Sequence, residues 1–475
     1  MQALEQFFGV IGDLTWGWSL VPILVIFGSF ITVATGFVQI EFFGRMFRVL
    51  TRGRTDTGQI SAREALLVSV GGRVGGGNIA GVAVAITLGG PGAVFWMWAI
   101  ALVGMATSLV ECSLAQLFKR ADPLTGQYRG GPARAILHGL GENYRWLAVI
   151  YAICLIAAFA LGFNAFQGNT VAGAAEASLG IDRLWTGIFL AIVTGFIVFG
   201  GIRRIAKASE VVVPVMAVGY LLMALIVILT NIGEIPQVLS SILANAFGFE
   251  EAVSGGMGAA LAQGLRRGLF SNEAGLGSAP NVAATAEVNH PISQGITQAF
   301  SVFIDTIIIC SCTAFVILLS DVYVPGATDV DGVALTQSAM VSHLGAWSQY
   351  FMTFAILLFA FSSVIYNYYL GENAISILTK TPHAMTLLKL VVVGIVFLGA
   401  VAPNATSVFF FSDPLMGVLA LVNLLALMML FPIALRVLQD FRKQLKAGVE
   451  RPVLRMEDFP DLDLDPNAWP NRGQS

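Results

Sequence analysis

Apolar runs of membrane-crossing length recur along this chain from about residue 16 to about residue 437, parted by short connections that carry most of the charge. A bilayer core about 30 Å thick takes about 20 helical residues to cross, so each run predicts one spanning helix. Eleven fit, at about 16 to 40, 62 to 88, 91 to 118, 143 to 179, 184 to 202, 208 to 231, 253 to 283, 293 to 320, 340 to 378, 385 to 402 and 413 to 436. The pattern predicts an all-α polytopic membrane protein.

Two runs contain what a regular helix resists. The second carries Gly71-Gly72-Arg73-Val74-Gly75-Gly76-Gly77-Asn78-Ile79-Ala80-Gly81, six glycines in eleven residues. Each glycine costs about 1 kcal/mol of helix relative to alanine, and backbone freed at mid-membrane depth needs partners that lipid cannot supply. The seventh holds Phe270-Ser271-Asn272-Glu273-Ala274-Gly275-Leu276-Gly277-Ser278-Ala279-Pro280, where Pro280 removes a further donor. Setting the first run aside as an extra N-terminal helix leaves two sets of five, each opening on an interrupted span. An odd number per set inverts the second set in the membrane. The expected architecture is a five-plus-five inverted repeat of the LeuT-like kind, whose broken helices meet at the midplane, half-helix N-termini toward an anionic group and exposed carbonyls toward cations. Close packing through small residues is the competing explanation, but consecutive Gly-Gly-Gly-Asn does not keep four-residue spacing. The expected divisions are residues 1–50, N-terminus and extra helix; 51–232 and 233–437, the two repeats; and 438–475, a polar, mobile tail.

Composition agrees. With 56% hydrophobic and only 12% charged residues, the chain departs from the average of soluble globular domains. The first residues carry Glu5 and Asp13 and no Lys or Arg, so a cleaved signal peptide is not expected there. Cys112, Cys154, Cys310 and Cys312 lie inside apolar runs without metal-like spacing. The net charge of −3, with no basic stripe, argues against a nucleic-acid partner. All but four of the 26 Lys and Arg fall on one side of the alternating connections or in the tail; only Arg183 lies opposite, with Arg73, Arg266 and Arg267 inside runs. The positive-inside rule then puts the C-terminus in the cytoplasm and the N-terminus outside, which an odd number of spans requires.

Several stretches resemble the alanine or glycine:cation symporters, the sodium:alanine symporter family. The strongest are Gly75 to Ile86, Gly89 to Trp98, Gly130 to Pro132, Gly200 to Lys207, Gly268 to Pro280 and Phe359 to Glu372, so the similarity covers almost the whole apolar region. The resemblance implies Na⁺-driven symport of a small neutral amino acid by alternating access, in a bacterial-type inner (plasma) membrane, with the lipid bilayer and the amino acid as partners and no obligatory protein partner. It implies a first cation site near Asn78 and a second built from the carbonyls of Gly71, Val74 and Phe359 and the hydroxyls of Ser362 and Ser363. The amides of Gly75, Gly76 and Gly77 would take the α-carboxylate, and Phe270, Ser271, Asn272, Glu273 and Gly275 would close the other wall. Asn164 and Gln167, three apart on the fourth span, share a helical face and are expected either to line the pocket or to bond between helices.

Arg73 and Gly76 depart from the family's pattern, which has Thr or another small residue at the first position and Thr at the second. A mid-span arginine is costly and should face a cavity or a carboxylate. It stands for a coupling cation, or binds an acidic or larger substrate, or forms a salt bridge with Glu273, Glu111 or Asp305. A carboxylate that protonates during the cycle would make H⁺ the coupling ion instead. Enzymatic activity is not expected: His138, His290, His343 and His383 form no H-E-x-x-H pair and no G-x-S-x-G elbow occurs. No filter loop or charge ring suggests a channel. A substrate-sensing receptor on a transporter fold stays open.

Overall fold

The structure, a computed structural model, describes residues 10–469 apart from 49–58, 124–125, 200, 251–252, 254, 327–331, 380 and 403–405. The stretch before residue 10 and, among the charged residues of the topology argument, Arg52, Arg54, Glu251, Asp331, Lys380 and Arg472 lie outside the described residues.

Apolar sequence becomes helix almost throughout. In chain order the helices are α1 (Val10–Ala34), α2 (Ala62–Arg73), α3 (Gly77–Gly89), α4 (Gly92–Leu117), α5 (Pro132–Gly139), α6 (Glu142–Leu179), α7 (Arg183–Val198), α8 (Gly201–Thr230), α9 (Ile235–Ala246), α10 (Gly256–Asn272), α11 (Ala279–Ala283), α12 (Pro291–Leu318), α13 (Gly332–Leu344), α14 (Trp347–Leu378), α15 (Pro382–Val401) and α16 (Thr406–Lys446). Among the described residues, eight contain a stretch long and apolar enough to cross a membrane, and the pair α2 and α3, bent by 51°, is long and apolar enough for a ninth when taken as one span. Val211, Val215, Val218, Leu222, Leu225 and Leu229 of α8 stay exposed at helical spacing, as do Phe189, Ile192 and Phe196 of α7. Such unbroken apolar faces suit lipid rather than water.

Both interruptions lie where glycine places them. Helix α2 opens on a capping box, Ser61 with Glu64, and ends at Arg73, where Val74 turns to ψ 98 before the chain rewinds from Gly77 as a wide π turn. Helix α10 ends at Asn272, and Glu273, Gly275 and Gly277 then adopt φ of 54, 83 and 85. Pro280 sits in the first turn of α11, where its missing donor costs little. Two more π turns, Ile156–Phe163 in α6 and Phe303–Cys310 in α12, lie beside the breaks.

The broken helices are also joined outside the bundle. Strand β1 (Ile60–Ser61), entering α2, pairs in parallel with β4 (Ala286–Glu287), which follows α11. A second small pair, β2 (Arg120–Ala121) with β3 (Tyr128–Arg129), forms a hairpin after α4. Both lie at the end of the bundle that carries Lys119, Arg120, Arg129 and Arg134.

Two expectations change. The ninth predicted span, 340 to 378, is divided: α13 stops at Gly345, whose φ of 86 favours glycine, and α14 begins at Trp347. The tail expected to be mobile is instead packed on the bundle. Helix α16 continues to Lys446, and Leu454, Phe459, Leu464 and Trp469 beyond it are all buried.

Close approach of α4 and α12 depends on Gly295, where an added Cβ would lie 2.5 Å from the Leu109 carbonyl oxygen and closer still to the Ser113 hydroxyl. Gly295→Val is therefore expected to destabilise the protein by about 1–3 kcal/mol through overpacking. A thermal unfolding scan in detergent should show a clearly lower midpoint; an unchanged one would contradict this packing.

Candidate functional site

In an uninterrupted helix the carbonyls of Gly71 and Gly72 would accept the amides of Gly75 and Gly76. The bend parts them, and side chains from other helices take their places. The Gly75 amide donates to the Asn78 side-chain oxygen at 3.0 Å and the Gly76 amide to Gln167 Oε1 at 3.4 Å. On the carbonyl side, Ser362 Oγ of α14 lies 2.6 Å from the Gly71 oxygen and 2.9 Å from that of Phe359. Ser363 Oγ lies 3.0 Å from the Gly72 oxygen, 3.1 Å from Phe359 and 3.4 Å from Gly71. Gly71, Phe359, Ser362 and Ser363 are thus one cluster of hard oxygens between α2 and α14, the chemistry an alkali cation prefers. Val74 is wholly buried at the turn itself.

Asn78 faces a second cluster. Its side-chain nitrogen lies 2.6 Å from Asp305 Oδ1 and 3.0 Å from Ser271 Oγ, and Ser271 donates to Asp305 Oδ2 at 2.8 Å. Thr306 donates to the same carboxylate oxygen at 2.8 Å. All four are fully or almost fully buried. The π turn of α12 carries Asp305, in keeping with the frequent use of such turns at functional positions.

Across from Gly75, Gly76 and Gly77 stands an aromatic and amide wall. A Cβ added at Gly76 would lie 3.0 Å from the Phe166 ring, and one at Gly77 would lie 3.4 Å from the Phe270 ring. Phe270 stacks on Phe163 with centroids 4.9 Å apart, and Phe163 and Phe166 meet edge to face. Gln167 completes this wall. Asn164, on the same helix, accepts instead from Asn367 of α14 at 3.1 Å, the interhelical alternative.

The second break is held from three helices. Gly275 donates its amide to Glu111 Oε1 of α4 at 3.1 Å, and its carbonyl accepts from Asn423 of α16 at 2.9 Å. Asn423 also reaches Glu111 Oε2 at 3.1 Å, while Tyr151 of α6 donates to the Gly277 carbonyl at 2.7 Å. Glu273 accepts from the hydroxyls of Ser278, at 2.5 Å, and Tyr366, at 3.1 Å, rather than from Arg266 or Arg267. Asn272 caps the Ala274 amide at 2.9 Å, leaving its own buried nitrogen without a hydrogen-bond partner. Of the predicted wall residues, Phe270 and Ser271 therefore face the first break, whereas Glu273 and Gly275 are bound into the scaffold of the second.

Of the three alternatives for Arg73, the salt bridge is not formed. Its guanidinium donates to Ser301, to the Gln298 carbonyl at 3.3 Å and to Ser108 at 3.2 Å, and no ion pair to Glu273, Glu111 or Asp305 occurs among the described residues. Two of these partners lie on α12 and one on α4. Glu111, Glu273 and Asp305 are buried as well, but none of them touches the guanidinium.

Sequence reading passed over Phe163, Phe166, Asn423, Tyr151 and Tyr366, and took Asp305 and Glu111 as partners for Arg73 or as carboxylates that could carry a proton, not as members of the two breaks. For Asn423 and Asp305 the signal was a lone polar residue in an apolar run.

Two broken helices, with hydroxyls, amides and a carboxylate gathered between them inside a lipid-facing bundle, mark a polytopic membrane transporter. The sequence matches the sodium:alanine symporter family over residues 1–456, and the chain belongs to that family. It is 43% identical to the amino-acid carrier protein AlsT of Bacillus subtilis, over 99% of this chain and 100% of that protein. It is 45% identical to the probable sodium/glutamine symporter GlnT of the same organism, over 94% and 92%. Among solved structures, that of MhsT in complex with L-phenylalanine superposes with a TM-score of 0.52 at 15% identity, covering 81% of this chain and 99% of the other, a likeness of fold.

Replacing Glu111 by Ala strands the Gly275 amide in a dry interior, at a cost of about 1–3 kcal/mol. Glu111→Ala is expected to lower the unfolding midpoint and to cut uptake at least tenfold; wild-type uptake would show that the second break does not depend on this carboxylate.

Proposed function

We propose that this symporter carries a small neutral amino acid, of the alanine or glycine class, inward with Na⁺ by alternating access. The observation that carries the proposal is the crossing of α2 by α14, where carbonyls released by the helix break meet the hydroxyls of Ser362 and Ser363. Gly71, Val74, Phe359, Ser362 and Ser363 would hold one Na⁺ there. Asn78 would serve a first cation site, with Asp305 as its fixed negative charge. The amides of Gly75, Gly76 and Gly77, at the N-terminus of half-helix α3, suit an α-carboxylate. Gln167, Phe166, Phe270 and Ser271 would enclose the rest, Asn272 lying just behind them. The rings of Phe166 and Phe270 crowd Gly76 and Gly77, and Arg73 is engaged by Ser301, Gln298 and Ser108, which favours a short, uncharged substrate.

In this scheme Na⁺ bridges α2 to α14 while the amino acid bridges α3 to α6 and α10, so occupancy favours closed conformations over open ones. Only such differential affinity can shift the equilibrium. Arg73 would act as a built-in cation among Glu111, Glu273 and Asp305. H⁺ in place of Na⁺ is the second reading, favoured by those three carboxylates, each buried within the bundle.

Beyond the eight long helices and the bent pair, the shorter α7, and α10 with α11 as a second broken crossing, would bring the spans to eleven. The repeats would then cover residues 51–232 and 233–437 after an extra helix within 1–50, with 438–475 beyond them. The basic end would face the cytoplasm, leaving the N-terminus outside, in a bacterial plasma membrane.

Uptake of radiolabelled alanine into proteoliposomes, with an imposed Na⁺ or proton gradient and with glycine, glutamine and glutamate as competitors, tests this directly. Na⁺-dependent uptake displaced by glycine is expected; uptake driven by a proton gradient alone, or displaced only by glutamate, would overturn it. Changing Ser362 and Ser363 together to Ala should raise the half-saturating Na⁺ concentration at least tenfold, and an unchanged value would remove them from the site. Arg73→Thr should alter the number of Na⁺ carried per amino acid; unaltered coupling would make Arg73 purely structural.

A further inference from the structure

The segment after α16 is bound to the bundle by specific contacts. The Leu454 amide donates to the Asn289 carbonyl, just before α12, at 2.9 Å. Asp461 forms a paired contact with Arg436 of α16 at 2.6 and 2.8 Å. Asp463 meets Arg120 of β2 and His138 of α5, each at 2.6 Å. Asp465 accepts the Ala121 amide at 2.8 Å, and the Trp469 indole donates to the Leu117 carbonyl at the end of α4 at 3.0 Å. Between these polar contacts Leu454, Phe459, Leu464 and Trp469 are buried. The hydrogen bonds from Arg436 hold the Asp461 carboxyl down at about 2. Burial alone would raise the Asp463 carboxyl, but hydrogen bonds from Arg120 and His138 keep it below its usual range. Both acids are ionised at neutral pH.

What this segment covers is the junction of the two broken helices. Gln116 donates to the carbonyls of Ala283 and Ala286 at 2.8 and 2.7 Å, and Lys119 donates to Ala286 at 3.0 Å. The buried Lys119 ammonium is sandwiched between the rings of Tyr128, 4.2 Å away, and Trp469, 4.3 Å away. The end of α4 therefore moves with β4 as one unit. For β4 to part from β1, that unit has to shift against α5 and α16, and the tail is bonded to both sides.

We propose that residues 451–469 form a cytoplasmic latch that loosens before β1 and β4 can separate, so that its hold sets the rate of inward opening. This rests on the transport reading and orientation given above. The exposed ion pairs give a weak, reversible grip, while the four apolar anchors and the roof over Lys119 give it register.

The test places cysteines at Ala121 and Asp465, in contact across the latch, in the full-length protein reconstituted in liposomes. The native Cys112, Cys154 and Cys310 are buried and Cys312 half-buried. Oxidising Ala121→Cys/Asp465→Cys is expected to cut net alanine uptake at least tenfold, with recovery on reduction; equal uptake by the fully cross-linked and reduced forms would overturn the latch. Uptake by the reduced form reports on the transport reading separately. A second measurement needs no transported substrate. Thr285→Cys, buried beside β4, is labelled from the cytoplasmic face with an impermeant maleimide, with and without truncation after Val449 or the milder Trp469→Ala. Labelling at least threefold faster in either latch variant is expected, and unchanged rates in both would refute the proposal.

Discussion

A helix broken inside hydrocarbon leaves amides and carbonyls that water cannot reach, and each costs several kcal/mol unless something pairs with it. Both breaks answer this demand with side chains borrowed from other helices. At the first, Asn78 and Gln167 serve the amides and Ser362 and Ser363 the carbonyls. At the second, Glu111, Asn423 and Tyr151 do so. These obligations fix α4, α6, α14 and α16 around the breaks. The groups that discharge them are hydroxyls and amides above all, so the proposed binding site and a structural necessity share the same atoms.

The two breaks are nevertheless unlike. The first is sharp, one turn of chain around Val74, and its partners are neutral. The second is longer, from Glu273 to Ser278, and leans on carboxylates that are themselves wholly enclosed. Charge is spread further along the basic end, where Arg129 bridges Asp122 at 2.8 Å and Glu372 at 3.0 Å, and Asn373 links the Gly130 carbonyl to Asn281 at 2.6 and 2.7 Å. Helix α14 thereby contributes to the break at its middle and to the closure of the basic end at its last turns.

The sequence made both breaks legible because glycine runs and Pro280 act locally, through backbone preference alone. Ser362, Ser363 and Gln167 were reached through family likeness and helical spacing, and they do meet the first break. What depended on distant partners was hidden. Asn164 and Gln167 share a face, yet one meets Asn367 and the other Gly76, a choice made by the helix opposite. The direction of Arg73 depends on Ser108, Gln298 and Ser301, which no local pattern ties to it. Residues 451–469 are too acidic and proline-bearing to read as anything but solvated chain, because their few apolar side chains become anchors only on the surface made by α4, α5 and α16.

Helix α13, only the end of which fell within a predicted span, gives the hydroxyl of Thr336 to the carbonyl of Ile79 at 3.1 Å, within the π turn that follows the first break. Gln337, the next residue, reaches Thr353 of α14 at 3.1 Å. A hydroxyl has a single proton to give, and here it joins a surface loop helix to the backbone of the deepest part of the molecule. Helices α3 and α13 therefore tilt together or part at the loss of a buried hydrogen bond.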